Sequence, residues 1–254
     1  MKPISTKQLD LYKEKDPDDE FLEALMPLST HLSELRKKII ISVSTLLFTS
    51  GISFYFGKDI ISLLIQIAPQ DTTFLQIRPG EFFFTSLRAA LFVGILAASP
   101  IILWQLGSFI MPGLRERERK IAFPILIGAP FLFFIGAVFA YFFVAPSMLN
   151  FLFGFGKDVI STSISIESFI SFALMIMAIC GSTFLLPIVI LALANVGIVN
   201  SKMLLSKWRY ALLSSVICGA VLTPTPDPFN MGIVGGILIS LYFVSVGILK
   251  IIKK

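Results

Sequence analysis

Histidine occurs once in the 254 residues, cysteine twice, and charged side chains make up only 15%. A single histidine, His31, rules out an HExxH zinc site and speaks against a Ser-His triad. No two aspartates lie within apolar runs, so an intramembrane aspartyl protease would lack its dyad. Gly154-Phe155-Gly156-Lys157 lacks the P-loop spacing and is followed by Asp158 rather than Ser or Thr, so it reads as a flexible loop. Cys180 and Cys218 sit in separate apolar runs, where thiols pack rather than pair. No acid, base, metal or cofactor cluster remains, and neither an enzyme nor a nucleic-acid partner is expected.

The scarcity of charge also settles the class. Soluble domains carry roughly 25% charged residues; here apolar residues reach 56%, phenylalanine occurs 25 times and the mean hydropathy is +0.87. Lipid is therefore the solvent for most side chains. A bilayer core of about 30 Å takes roughly 20 apolar residues in helix. Six runs qualify as spans: Ile39–Phe56, Phe82–Leu106, Ile121–Val144, Phe169–Val196, Tyr210–Leu222 and Met231–Leu249. With no water available to backbone groups, each reads as helix, giving an all-α polytopic membrane protein.

Lysines and arginines orient it. Counted loop by loop, 17 fall on the side of the two termini, three (Lys58, Arg78 and Lys157) on the other, and Arg88 lies inside a span. By the positive-inside rule both termini face the cytoplasm or its topological equivalent. Residues 1–24 read as a polar, disordered tail and 25–254 as the membrane domain. Tyr210–Leu222 is only 13 residues, so either the bilayer thins there or Thr223–Pro228 dips into it against protein. Interior prolines at 100, 124, 130 and 187 bend their helices, and bent helices enclose a concavity.

Three stretches between the spans stand out. In Leu28 to Ile39, Leu28, Leu32, Leu35 and Ile39 continue an apolar stripe begun at Leu25, giving an interfacial helix that runs into the first span. Glu34 there either pairs with Lys38 at i+4 or serves a ligand. In Phe109 to Lys120, Pro112-Gly113 turns the chain, and Glu118 pairs with Arg115 and Glu116 with Lys120 if the segment is merely a solvated face. In Thr223 to Phe229 three prolines form a rigid corner, where Asp227 reads as a cap for the last helix.

Taken together, His31-Leu-Ser-Glu-Leu-Arg36, Phe109-Ile-Met-Pro-Gly-Leu with Glu118-Arg-Lys120, and the Thr223 to Asp227 corner resemble the TatC family. This family is the multi-spanning subunit of the twin-arginine protein translocase. Arg78-Pro-Gly-Glu81-Phe-Phe-Phe84 looks most like its cyanobacterial and plastid branch. The resemblance implies a receptor for twin-arginine signal peptides of folded cargo, within an oligomeric complex with TatA and TatB-type single-span subunits. It would sit in a bacterial plasma or thylakoid membrane and be driven by the proton gradient. Glu34 and Glu118 match the family's signal-binding acids, with His31, Leu35, Arg36 and Phe109 on the same surface. Pro69, Tyr141 and Asp227 match family positions on or near the outer side, where a structural role is as well supported.

Two departures accompany the likeness. Leu185 stands where many relatives place Glu or Gln before the span-four proline, and Asn230 and Met231 follow the corner where many carry Gln. Docking of a partner helix would then rest on shape, or on Thr223 and Asn230. The rival reading is a secondary transporter for a small solute, for which Arg88 is the one intramembrane candidate; the alternative for Arg88 is snorkelling outward.

Overall fold

The computed structural model describes residues 17–69, 72–110, 116–155, 163–223 and 227–251; the side chains of 17–31, 110, 116–122 and 196 fall outside that description. Ten helices follow in order among the described residues: α1 (Pro17–Tyr55), α2 (Gly57–Ile65), α3 (Glu81–Ile110), α4 (Glu116–Phe139), α5 (Ala145–Gly154), α6 (Ile166–Thr183), α7 (Leu186–Val196), α8 (Ser201–Ser206), α9 (Trp208–Leu222) and α10 (Pro228–Ile251). A π-helical turn, Ala140–Val144, joins α4 to α5. Two three-residue strands, β1 (Thr73–Leu75) and β2 (Ser163–Ser165), are the departure from an all-α chain.

Among the described residues five segments are long and apolar enough to cross a membrane: Leu32–Tyr55, Glu81–Phe109, Phe123–Gly154, Ile166–Asn195 and Pro228–Ile251. The sixth expected span, α9, is 15 residues long, or about 22 Å. It begins two residues before the expected Tyr210, and the Arg209 guanidinium lies 5.9 Å from the Trp208 ring centre.

The structure corrects the sequence reading in four places. Helix α1 already begins at Pro17, inside the segment expected as a tail, and runs unbroken into the first span for 39 residues, about 58 Å. That is nearly twice the depth of a bilayer core, so one half projects from it. Part of the connection between the first two expected spans, Gly57–Glu81, is helix α2, whose Ile61 and Leu64 are buried. Span four is two helices: Phe184 and Leu185 interrupt it, because the Pro187 ring is excluded by the preceding turn and sits instead in the first turn of α7, where an absent N–H costs nothing. The strands pair in parallel, Phe74 against Ile164, and join two connections expected as separate loops.

This pairing fixes one end of the bundle, here the capped end. Phe74 packs edge-on against Phe169 at 5.0 Å, and Phe151 stacks on Phe229 at 4.4 Å, which brings the α9–α10 corner to the same end. The principal hydrophobic core gathers there and in the adjoining half of the bundle, from Ile61, Leu64, Ala140, Val144, Met148, Leu149, Phe169 and Ile170. A much smaller cluster of Ile190, Ala194 and Leu249 holds the opposite, open end. The broadest helix contacts run α1 with α3, α3 with α4, α4 with α6, α7 with α10 and α10 with α9. In this order of contacts α1 and α9 are the outermost helices.

Candidate functional site

The residues that resemblance assigns to signal binding lie on elements of the open end. Glu34, Leu35 and Arg36 follow one another on α1 at the start of its membrane-crossing segment, Phe109 is in the last turn of α3, and position 118 is in the first turn of α4. Leu35 and Phe109 are half-buried and Arg36 is exposed. The side chains of His31 and Glu118 lie outside the described residues.

Glu34 presents the one carboxylate of this group that is described. Its Oε1 lies 2.7 Å from Lys38 Nζ, one turn further along α1. The lysine side chain is 15% exposed, whereas the Glu34 side chain is 44% exposed. The i, i+4 pairing anticipated from the sequence is therefore present. Such a pair is worth about 0.2–0.5 kcal/mol, too little to withhold the carboxylate from a stronger ligand. On other faces of the same helix Leu32 and Ile39 are exposed.

The family positions of the capped end do structural work. Pro69 closes the turn after α2: its carbonyl accepts the Thr72 N–H at 3.3 Å and the Thr72 hydroxyl at 2.8 Å. Tyr141, carried by the π-helical turn, donates its hydroxyl to the Leu63 carbonyl at 2.9 Å and so ties α2 to the bundle. Asp227 caps α10, as its position before the helix suggested: Oδ1 accepts the Asn230 N–H at 2.8 Å and Oδ2 the Asn230 side-chain amide at 2.7 Å. Thr223 ends α9 and donates to the Gly219 carbonyl at 2.9 Å. Thr223 and Asn230 are both buried and brace the corner of their own chain.

Sequence reasoning missed the residue that organises the capped end. Glu81 is 3% exposed and accepts four hydrogen bonds. Oε2 takes the N–H groups of Ile77 at 2.7 Å and Arg78 at 3.0 Å, which is the reach-back of a helix-start glutamate to its own approach strand. Oε1 takes the Ser165 hydroxyl and the Glu167 N–H, the latter at 3.1 Å. One carboxylate thus joins the starts of α3 and α6 beneath the strand pair. A glutamate directly after Pro-Gly at a helix start was the available signal; its second partner, 84 residues away, left no local trace.

Arg88, the charge inside a span, lies two turns along α3 and reaches α6, donating to the Ser171 hydroxyl and to Glu167 Oε1, the latter at 3.2 Å. These contacts place Arg88 between α3 and α6, toward the capped end. The Arg88 and Glu167 side chains are 51% and 32% exposed, so the pair is expected to contribute modestly. A double-mutant cycle of Arg88→Met and Glu167→Gln, read by thermal unfolding in detergent, should give a coupling of about 0.5–1 kcal/mol.

Comparison with known proteins gives concordant results. A family model described as Sec-independent protein translocase protein (TatC) matches residues 30–236. The Sec-independent protein translocase protein TatC of Synechocystis sp. is 37% identical over 243 residues, 96% of this chain and 94% of that protein. The chloroplastic protein TATC of Oryza sativa subsp. japonica is 37% identical over 235 residues, 91% of this chain and 64% of the rice protein. The crystal structure of the twin arginine translocase receptor TatC in DDM superposes with a TM-score of 0.71 at 33% identity, over 86% of this chain and 99% of that one.

Proposed function

Because this chain belongs to the TatC family, we propose that it receives twin-arginine signal peptides at its open end, with Glu34 and Glu118 as the carboxylates that meet the two guanidinium groups. As a TatC protein it is the core subunit of the twin-arginine translocase, a multi-pass component of a plasma or thylakoid membrane. The finer reading takes α9 as the fifth of six crossings and places both termini, with 17 of the 21 basic residues, on the cytoplasmic or stromal side.

The observation that carries the receptor reading is the Glu34 carboxylate, part-exposed near the start of the membrane-crossing part of α1 and paired with Lys38. Guanidinium is planar and offers two parallel N–H donors to a carboxylate, which an ammonium does not. In this reading His31, Leu35, Arg36 and Phe109 shape the surface around the two acids. TatA and TatB-type single-span subunits dock along α9 and α10 in an oligomeric assembly, with the Thr223–Asn230 corner fixing the shape they meet. The transmembrane proton gradient drives transport of folded cargo.

The test compares binding of a twin-arginine peptide and its Lys-Lys counterpart to wild type, Glu34→Ala and Glu118→Ala in detergent. Each substitution should weaken the twin-arginine peptide by at least about tenfold, the cost of stranding one member of a charge-assisted pair. Equal affinity across the three proteins would remove the receptor assignment.

A further inference from the structure

The open end carries its charges unevenly. Acids and bases alternate on α1 and around the start of α4, whereas from Ser168 to Lys254 the sequence holds a single acid, Asp227, and that one caps α10 at the capped end. The corner between α8 and α9 therefore presents Lys202, Lys207 and Arg209 with no carboxylate on α7, α8, α9 or the open-end half of α10. All three cations are exposed, and none is ion-paired among the described residues. Trp208 and Tyr210 alternate with them and are 42% and 73% exposed.

The corner is also recessed. A Cβ on Gly219 of α9 would lie 2.8 Å from the Met231 carbonyl oxygen, and one on Gly235 of α10 would lie 3.3 Å from the Ser215 carbonyl oxygen. Counting back along α9 from these crossings brings Trp208 level with about residue 243 of α10. The Tyr242 hydroxyl, donating to the Leu204 carbonyl at 2.8 Å, fixes α8 near the same level. Helix α10 runs on to Ile251, about eight residues or 12 Å further out. That step exceeds a headgroup layer, roughly 5–8 Å on each side of the hydrocarbon core. The three cations thus lie at the depth of Phe243 and Val244, which are exposed apolar residues of the neighbouring helix. A cation at such depth is costly unless an anion or water comes to it.

We propose that the α8–α9 corner is a binding site for the headgroup of an anionic phospholipid. Its phosphate is met by Lys202, Lys207 and Arg209, and its glycerol region lies against Trp208 and Tyr210, since indole and phenol rings favour the headgroup level. The charge selects an anion, because each lysine or arginine at a membrane surface draws anionic lipid toward it. The depth selects a lipid over a soluble anion. This site stands apart from the receptor reading, which uses α1, α3 and α4. The short helix α9 would then be held at its depth by lipid as well as by α10.

The chain has two tryptophans, so Trp104→Phe leaves Trp208 as the sole indole reporter. The full-length Trp104→Phe protein is reconstituted into phosphatidylcholine vesicles containing either brominated phosphatidylglycerol or brominated phosphatidylcholine at the same mole fraction. Quenching of Trp208 should report phosphatidylglycerol enriched about fivefold or more beside it, a preference that falls as salt is raised. Lys202→Gln, Lys207→Gln and Arg209→Gln combined should bring the two lipids to equal quenching. Each single substitution should give an intermediate value, which keeps the test open should the triple variant fail to insert. Lys250→Gln, beyond the recess, should leave the preference unchanged and so separates a site from overall charge. Equal quenching by the two lipids before any charge is removed would overturn the proposal, as would a preference that survives the three substitutions. Loss of the preference on adding glycerol phosphate at low millimolar concentration would assign the corner to a soluble anion and overturn it too.

Discussion

Glu81→Ala is expected to lower the midpoint of thermal unfolding by about 5 °C or more and to expose the connections around Thr73 and Ser163 to protease added from the capped side. The carboxylate accepts from three backbone N–H groups and one hydroxyl in a site that is almost fully covered. Alanine leaves all four donors in place with no acceptor, and an unsatisfied buried donor costs more than a hydrogen bond contributes. Glu81→Gln should be milder but still damaging, since its amide oxygen can serve one pair of donors while its NH2 faces the other. A thermal midpoint and cleavage rate matching wild type for Glu81→Ala would show that the strands and helix packing hold this end unaided.

The second large effect is expected at Gly136, where α4 crosses α6. A Cβ built there would lie 2.8 Å from the Cys180 carbonyl oxygen and 2.9 Å from Gly181 Cα, so backbone, and not a side-chain tip, stands in the way. Membrane helices approach this closely only through small residues, and dispersion contacts supply much of the association energy in lipid. Gly136→Ala should cost about 1–3 kcal/mol, the usual range for overpacking, and Gly136→Leu should sharply reduce the amount of folded protein recovered from membranes. Yield and unfolding midpoint, compared with Gly154→Ala, where nothing stands within 4 Å, form the check. Equal tolerance of both substitutions would mean that α4 and α6 slide apart at little cost.

Much of this architecture could be read from residue order because lipid imposes a simple rule on long apolar runs. Five of the six expected spans correspond to segments of sufficient length, and the short run ending at Leu222 is indeed a short helix. Pro100, Pro124 and Pro130 lie inside helices as expected, whereas Pro187 starts a new one. Helix α2 escaped notice because nine residues bordered by Lys58 and Asp59 resemble a loop until Ile61 and Leu64 are seen facing the core. The strand pair escaped because three residues carry no periodicity and their register depends on a partner 90 positions away. At the open end, the Glu34–Lys38 contact was legible from i, i+4 spacing, but its 15% and 44% exposures depend on the neighbouring surface. Glu81 shows the limit most plainly: half of its role lies in a local Pro-Gly-Glu sequence and half in a helix start that only folding brings near.

From Glu34 to Tyr55 helix α1 contains no proline, and it lies along α3 throughout its membrane segment. Those 21 steps make a helix of about 32 Å whose one Gly/Ser pair, Ser50-Gly51, lies near its far end. A load applied at its aqueous end is therefore carried as tilt for most of its length. The far end of that helix meets Gly57 and the start of α2, so a load that travels along it is passed to the opposite end of the bundle.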